Sequence, residues 1–272
     1  EHHGMPGVAS AATSIVISHV AAGTSTIRVG AGGIMLPNHA PLLIAEQFGT
    51  LECLHPGRID LGLGRAPGSD QNTLLRALRR TPEAAETFPQ DVLELQAFLG
   101  EQSRIPGVVA IPGRGTNVPL YILGSSLFGA QLAAALGLPY AFASHFAPSA
   151  LAEAVELYRR EFRPSAQLER PYVIAGVNVV AADSAEDAAA QFATVKRLRV
   201  KALLGRGREL DDEQIDALLK SPEGIYLSAM ARYAAVGTAA EVRDYLDWFA
   251  RHADADELIT VHPSPSVDAR LR

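Results

Sequence analysis

The chain has 272 residues, 48% of them hydrophobic, which is enough for one large α/β domain or two small ones. Its net charge is -6 and the basic residues form no stripe with interleaved aromatics, so the sequence predicts no nucleic-acid partner. No run reaches the roughly 18 uninterrupted apolar residues of a membrane span, and the single cysteine, Cys53, excludes an internal disulfide and a cysteine-based zinc site. We therefore expect a cytoplasmic protein with no membrane partner.

Strand and helix patterns alternate along the chain. The strand patterns lie near 1–3 and at 27–36, 58–64, 118–123, 139–143, 172–182 and 257–261. The helix patterns include 9–22, 42–54, most of 70–100 with interruptions near Pro82 and Pro89, 127–136 and 148–162, and capping boxes at Ser184 and Thr238 begin two more. Residues 205–235 are charged and broken by glycine and proline, which favours an insertion of short helices. This alternation predicts a parallel sheet, and we expect a single domain over 1–272.

Eight strand–helix units in one domain make a TIM barrel. Seven strands are counted, and the chain opens at Glu1 without an initiator methionine. One more strand and helix before Glu1 would give eight, so the predicted fold is an α/β TIM (β/α)8 barrel with insertions, its first strand and helix absent from this sequence. An open doubly wound sheet is the alternative, although Pro67 stands where the G-x-G-x-x-G signal has its third glycine.

The sites of TIM barrels lie at the C-terminal ends of the strands. The candidate residues at or near those ends are His2, Gly33, Arg65, Ser125, His145 and His262. In the stretch 56–70 (PGRIDLGLGRAPGSD), a strand ends in glycine and a single arginine, which suits an anionic cofactor. The other interpretation is a buried strand whose arginine caps a helix or pairs with a carboxylate.

Two further patterns could bind an ion. Ser125 and Ser126 stand between a strand and a helix, where free backbone N–H groups and hydroxyls bind phosphate; an ordinary N-cap serine is the alternative. The histidines near strand ends, which could bind a metal, are His2, His3, His39, His145 and His262. On a regular strand Glu1 and His3 would share a face, with His2 on the other. A catalytic zinc needs three such ligands to converge, which spacing does not establish, so no metal is predicted.

The sequence resembles the luciferase-like flavin-dependent monooxygenases, the bacterial luciferase superfamily, over nearly its whole length. Four segments carry the resemblance: Glu1-His2-His3, IRVGAGGIMLPNHAP (27–41), AEQFGTLECLHPGRIDLGLGRAPG (45–68) and PLYILGSSLFGAQLAAALGLPYAFASHFAP (119–148). The resemblance implies a TIM barrel, an enzyme that uses reduced FMN and O₂ on a small organic substrate, and a homodimer. It also implies that the reduced flavin is made on the enzyme or supplied by an NAD(P)H-dependent flavin reductase.

Carried over by position, His2 resembles the active-site histidine of this family. Gly32 and Gly33 fall where relatives have a non-prolyl cis peptide beneath the flavin ring. Gly64 stands where bacterial luciferase has a reactive cysteine, so that thiol is absent. The resemblance therefore implies flavin binding without implying light emission.

The same resemblance implies a phosphate site for FMN. Arg65 resembles the arginine near the flavin phosphate, and Ser125 and Ser126, with the N–H groups toward Gly129, resemble the phosphate-binding turn. Ser125 replaces an acidic residue of bacterial luciferase and Gly129 replaces a threonine. Three alternatives stay open: a deazaflavin-dependent dehydrogenase of the same superfamily, a flavin-binding protein without turnover, and a metal-dependent barrel hydrolase.

Overall fold

The computed structural model describes residues 1–5, 8–66, 68, 70–205 and 208–266. These residues group into two compact units. The first unit contains Glu1–Gly124, Gln131–Tyr140 and Glu161–Pro171, and the second contains Ser125–Ala130, Ala141–Arg160 and the chain from Tyr172 onward. No helix within the described ranges is long and apolar enough to cross a bilayer.

The described residues form seven strands and nine α-helices. The strands are β1 (Val29–Met35), β2 (Ile59–Gly64), β3 (Leu120–Gly124), β4 (Tyr140–Phe142), β5 (Val173–Ala181), β6 (Ala234–Gly237) and β7 (Glu257–Val261). The helices are α1 (Thr13–Ala22), α2 (Pro41–Leu54), α3 (Phe88–Leu99), α4 (Leu127–Leu136), α5 (Leu151–Glu161), α6 (Ala185–Leu204), α7 (Asp212–Lys220), α8 (Pro222–Met230) and α9 (Ala239–His252).

In the first unit, β1, β2 and β3 pair in parallel. The apolar residues that define the β2 pattern, Ile59, Leu61 and Leu63, are fully buried, because helices cover a parallel sheet on its faces. At the beginning of the β1–β2 pair, the Arg28 guanidinium donates to both carboxylate oxygens of Asp60, at 2.9 and 2.6 Å. This pairing helps to fix the strand register that positions the C-terminal ends of β1 and β2.

In the second unit, β5 is the central strand and pairs in parallel with β6 on one side and β7 on the other. Eight of its nine residues are buried, which explains its nearly uninterrupted apolar sequence. The predicted capping box of Thr238 and Glu241 is confirmed before α9, and at the other predicted helix start the Ser184 hydroxyl accepts from the Asp187 N–H before α6.

The predicted α/β alternation is confirmed, and two of the predicted elements are wrong. Residues 1–5, which are described, form no strand, so the strand predicted near 1–3 is absent. The segment 205–235 holds helices α7 and α8 as predicted, but it also contains the beginning of β6, which the sequence analysis missed. A strand of four residues carries too little periodicity to be recognised, and β6 exists because its backbone pairs with Asn178–Ala181 of β5.

Candidate functional site

The glycine pair of β1 forms the centre of the candidate site in the first unit. The register between β1 and β2 shifts between Ala31 and Ile34, so that Gly32 and Gly33 lie opposite Gly62 alone. The peptide bond between Gly32 and Gly33 is cis, as predicted.

The two glycines differ in what surrounds them. A Cβ on Gly33 would lie 2.5 Å from the carbonyl oxygen of Gly62, so Gly33 is glycine because the β2 backbone approaches it closely. A Cβ on Gly32 would meet no atom within 4 Å. Gly32 therefore presents bare backbone to open space while its neighbour is fixed against the sheet.

A buried carboxylate lies at the C-terminal end of β1. The side chain of Glu1 is 1% exposed, and its Oε2 accepts a hydrogen bond of 2.9 Å from the Met35 N–H. Its Oε1 lies 2.6 Å from Nε2 of His3 and 2.8 Å from Nε2 of His39. Burial by itself raises the pKa of Glu1, but the hydrogen bonds from His39 and His3 outweigh it and lower the pKa to about 2. Glu1 is therefore ionised and holds both imidazoles by Nε2.

These three side chains are also the one group of potential metal ligands found in the described ranges, with donor atoms within 4.8 Å of one another. Two ligands of a tetrahedral zinc at about 2.0–2.1 Å from the ion would lie roughly 3.3 Å apart. The Glu1–His3 and Glu1–His39 separations are shorter than that and have the length of charge-assisted hydrogen bonds. The arrangement is thus that of a hydrogen-bonded triad.

His2 lies next to this triad without taking part in it. It is half-buried, and burial lowers the pKa of its imidazole, so the neutral form predominates near pH 7. A neutral imidazole can accept a proton from a reacting group.

Arg65 is exposed and directly follows Gly64, the last residue of β2, which pairs with Met35. Beyond it, Gly68 adopts a φ of +64°, and a Cβ there would lie 2.8 Å from Cε of Met35. The chain after Arg65 therefore returns toward the end of β1. The first unit brings Gly32, Gly33 and Arg65 together with Glu1 at the ends of two adjacent strands.

The other predicted residues belong to the second unit. Ser125 and Ser126 are exposed and stand directly before α4, and Gly129 is buried in its first turn. Their convergence with Arg65 on one phosphate stays a prediction. His145 follows β4 and lines a cavity in the second unit, and Nε2 of His262 lies 3.0 Å from Oγ1 of Thr260.

Sequence reasoning missed two features of these units. It placed Glu1 and His3 on one face but gave no partner for the carboxylate, and His39 joins them only because a short 3₁₀ turn, Leu36–Asn38, follows β1. It also assigned no role to Lys196 and Arg199, which line the cavity beside His145. Their spacing of three along a predicted helix was a signal for a shared face, but not for what that face contacts.

Comparison with known proteins places the chain in a family. The family model described as "Luciferase-like monooxygenase" matches residues 1–255. The chain belongs to the luciferase-like monooxygenase family. A protein of Escherichia coli K12 named "Luciferase-like monooxygenase" is 48% identical over 261 residues, which cover 95% of this chain and 78% of that relative. The N-acetyl-S-alkylcysteine monooxygenase of Bacillus subtilis is 29% identical over 90% of this chain and 75% of its own.

Solved structures of luciferase-like proteins share this fold. The crystal structure of apo-MsnO8 matches with 34% identity and a TM-score of 0.86, over 100% of this chain and 82% of that one. Two more distant structures show the fold alone, with TM-scores of 0.62 and 0.64: an oxygenating monooxygenase component from Pseudomonas putida in complex with FMN, and a coenzyme F420-dependent reductase from Methanopyrus kandleri. The predicted α/β fold class is confirmed, and these neighbours are luciferase-like TIM-barrel proteins.

Proposed function

We propose that this member of the family is an FMN-dependent monooxygenase, which uses reduced FMN and O₂ to oxygenate a small organic substrate. The observation that carries the proposal is the bare backbone at Gly32, beside a Gly33 fixed against β2. A flat ring needs close access to a rigid backbone surface, and this pair offers both.

We assign the other parts of FMN to the residues at the strand ends. Arg65 would hold the phosphate together with the hydroxyls of Ser125 and Ser126 and the N–H groups toward Gly129, because an arginine and a helix N-terminus both favour a phosphate. Reduced FMN, when bound, supplies the electrons that activate O₂. The protein supplies the positions of these groups and controls protons near them.

His2 is the group that we assign to proton transfer. Its lowered pKa keeps the imidazole neutral, so it can take a proton during turnover and return it. The ionised Glu1 fixes the neighbouring His3 and His39, which limits the motion of the segment that carries His2. We therefore expect that replacing His2 affects proton transfer and leaves flavin binding unchanged. Glu1 acts only indirectly, through the two imidazoles that it holds.

The proposal also covers how the reduced cofactor arrives and how the enzyme assembles. We expect a flavin reductase to supply reduced FMN and the enzyme to form a homodimer in the cytoplasm. A deazaflavin-dependent dehydrogenase is the second candidate, because F420-dependent enzymes have the same fold.

Titrating the purified protein separately with FMN and with F420, followed by absorbance and fluorescence, distinguishes the two cofactors. Binding of FMN but not of F420 is expected, and the reverse would support the dehydrogenase. The loaded protein is then given NADH, a flavin reductase and ¹⁸O₂, with N-acetyl-S-alkylcysteines as the first substrates tested because a relative is named for that activity.

The His2→Ala variant should bind FMN with parental affinity and lose roughly 10²–10⁴-fold in the rate of ¹⁸O incorporation, the usual contribution of general acid–base catalysis. A reaction with reduced FMN but without the protein, in which the flavin reoxidises spontaneously in buffer, gives the baseline for these rates. A His2→Ala protein that incorporates oxygen at the parental rate would show that His2 has no role in proton transfer.

A further inference from the structure

The second unit contains a cavity of its own residues. This cavity of about 290 Å³ is lined by residues of α6, α8 and the strands β5 and β7, with His145 at its wall. This volume is near the lower end of the range for small-molecule sites. Much of the wall is apolar, with contributions from Phe192, Leu227 and Val261, and no acidic side chain is among its lining residues in the described part of the chain.

The charges of this cavity come from one face of α6. Phe192, Lys196 and Arg199 follow one another at spacings of four and three, so they share a face that lines the cavity. The Lys196 ammonium lies 5.0 Å from the centre of the Phe192 ring. Arg199 is half-buried, burial lowers the pKa of its guanidinium, and it makes no hydrogen bond or ion pair within the described ranges.

The other cations of α6 behave differently. Arg197 pairs with Asp212 and Asp216 of α7, and the Lys201 ammonium lies 3.4 Å from Glu209. Carboxylates are therefore available beside α6, and they pair with Arg197 and Lys201. The cavity face keeps an arginine whose five donors have no protein acceptor among the residues described.

His145 adds a second polar group without a partner. Its Nδ1 is buried and makes no hydrogen bond with any described residue. Hydrogen bonds fix the backbone that carries His145: Asn178 donates to the His145 carbonyl at 2.7 Å, and the Ser144 hydroxyl donates to the Gly176 carbonyl at 2.6 Å. A Cβ on Gly176 would collide with Nδ1, so this glycine makes room for the imidazole.

We propose that this cavity binds a small organic carboxylate, with its carboxylate on the guanidinium of Arg199 and its apolar chain against Phe192, Leu227 and Val261. The planar guanidinium matches the two oxygens of a carboxylate. A phosphate site built on a helix would use free N–H groups at the helix N-terminus, whereas Arg199 lies in the last third of α6. This binding site is assigned independently of the proposed oxygenation.

Calorimetric titration with hexanoate tests the proposal, with the neutral hexanamide and inorganic phosphate as comparison ligands. Hexanoate should bind in the millimolar range or tighter, and hexanamide roughly tenfold more weakly. Arg199→Gln should weaken hexanoate binding roughly tenfold to a hundredfold, the scale of a lost charge-assisted hydrogen bond. Arg197→Gln is the matched control, because it removes the same charge from the same helix outside the cavity and should leave hexanoate affinity nearly unchanged.

Three results would overturn the proposal: hexanamide binding as tightly as hexanoate, equal losses in Arg199→Gln and Arg197→Gln, or phosphate binding more tightly than hexanoate. If circular dichroism shows that Arg199→Gln does not fold, Lys196→Gln replaces it and should lower hexanoate affinity several-fold. The absence of any hexanoate heat in the parent protein would also count against the site.

Discussion

The difference between Gly32 and Gly33 gives the sharpest test of the candidate flavin site. A methyl group on Gly33 would lie 2.5 Å from the oxygen and 2.8 Å from the carbon of the Gly62 carbonyl, about 0.9 Å inside the 3.4 Å limit of ordinary contacts. The colliding atoms are backbone of an adjacent strand, which yields less easily than a side chain. Gly33→Ala should therefore cost about 1–3 kcal/mol in the free energy of unfolding, the usual cost of overpacking.

Gly32→Ala should have the opposite profile. Its methyl group meets no protein atom within 4 Å, and Gly32 does not have the positive φ that would strain an alanine. Stability should change by less than about 0.5 kcal/mol. If the ring of FMN lies against this backbone, the methyl group occupies its place, and an overpacking cost of about 1–3 kcal/mol corresponds to a loss of roughly 5- to 150-fold in FMN affinity.

Urea denaturation of both variants and titration with FMN, followed by flavin fluorescence, measure the two effects. The reasoning about the cofactor fails if Gly32→Ala binds FMN as tightly as the parent. The reasoning about the sheet fails if Gly33→Ala unfolds at the parental urea concentration. Because each glycine serves as the control for the other, a general effect of alanine at this bulge would appear in both variants.

Two further variants address the strand ends. Arg65→Ala should weaken FMN binding by about 1–3 kcal/mol, the scale of a charge-assisted hydrogen bond, and leave the affinity for riboflavin, which has no phosphate, unchanged; an equal loss for both ligands would contradict a phosphate role. Because the folded-state pKa of Glu1 lies below its ordinary value of 4.5, its stabilisation is present above that pH and is lost as the pH falls toward 2. Glu1→Gln keeps one acceptor oxygen where Glu1 has two and removes the charge, so it should unfold about 2 kcal/mol more easily at neutral pH. It should also show a weaker loss of stability below about pH 4.5 in acid titrations of unfolding, and parallel pH profiles for the two proteins would refute this assignment.

The sequence was sufficient to predict an element where its local residue pattern and its tertiary packing favour the same structure. The apolar alternation of β2 and the caps of α6 and α9 predict elements that the structure contains, because each depends on residues within a few positions of one another. The cis bond at Gly32–Gly33 was predicted from the family resemblance and confirmed. The open space at Gly32 and the close approach at Gly33 could not be predicted, since they depend on the register with Gly62, a residue far along the chain.

The cations of α6 show most clearly why the remaining features needed a structure. Lys196, Arg197, Arg199 and Lys201 lie within six residues, and a sequence alone favours one solvated, charged helix face for all of them. In the folded chain the position of α7 and its preceding segment decides which cations have carboxylate partners, and this leaves Arg199 facing an apolar cavity without one among the described residues. An unpaired charge is costly to bury, so a fold that keeps it there is best explained by a ligand that pairs with it. The carboxylate assignment therefore depends on the combination of this unpaired guanidinium with the apolar wall of the cavity that it lines.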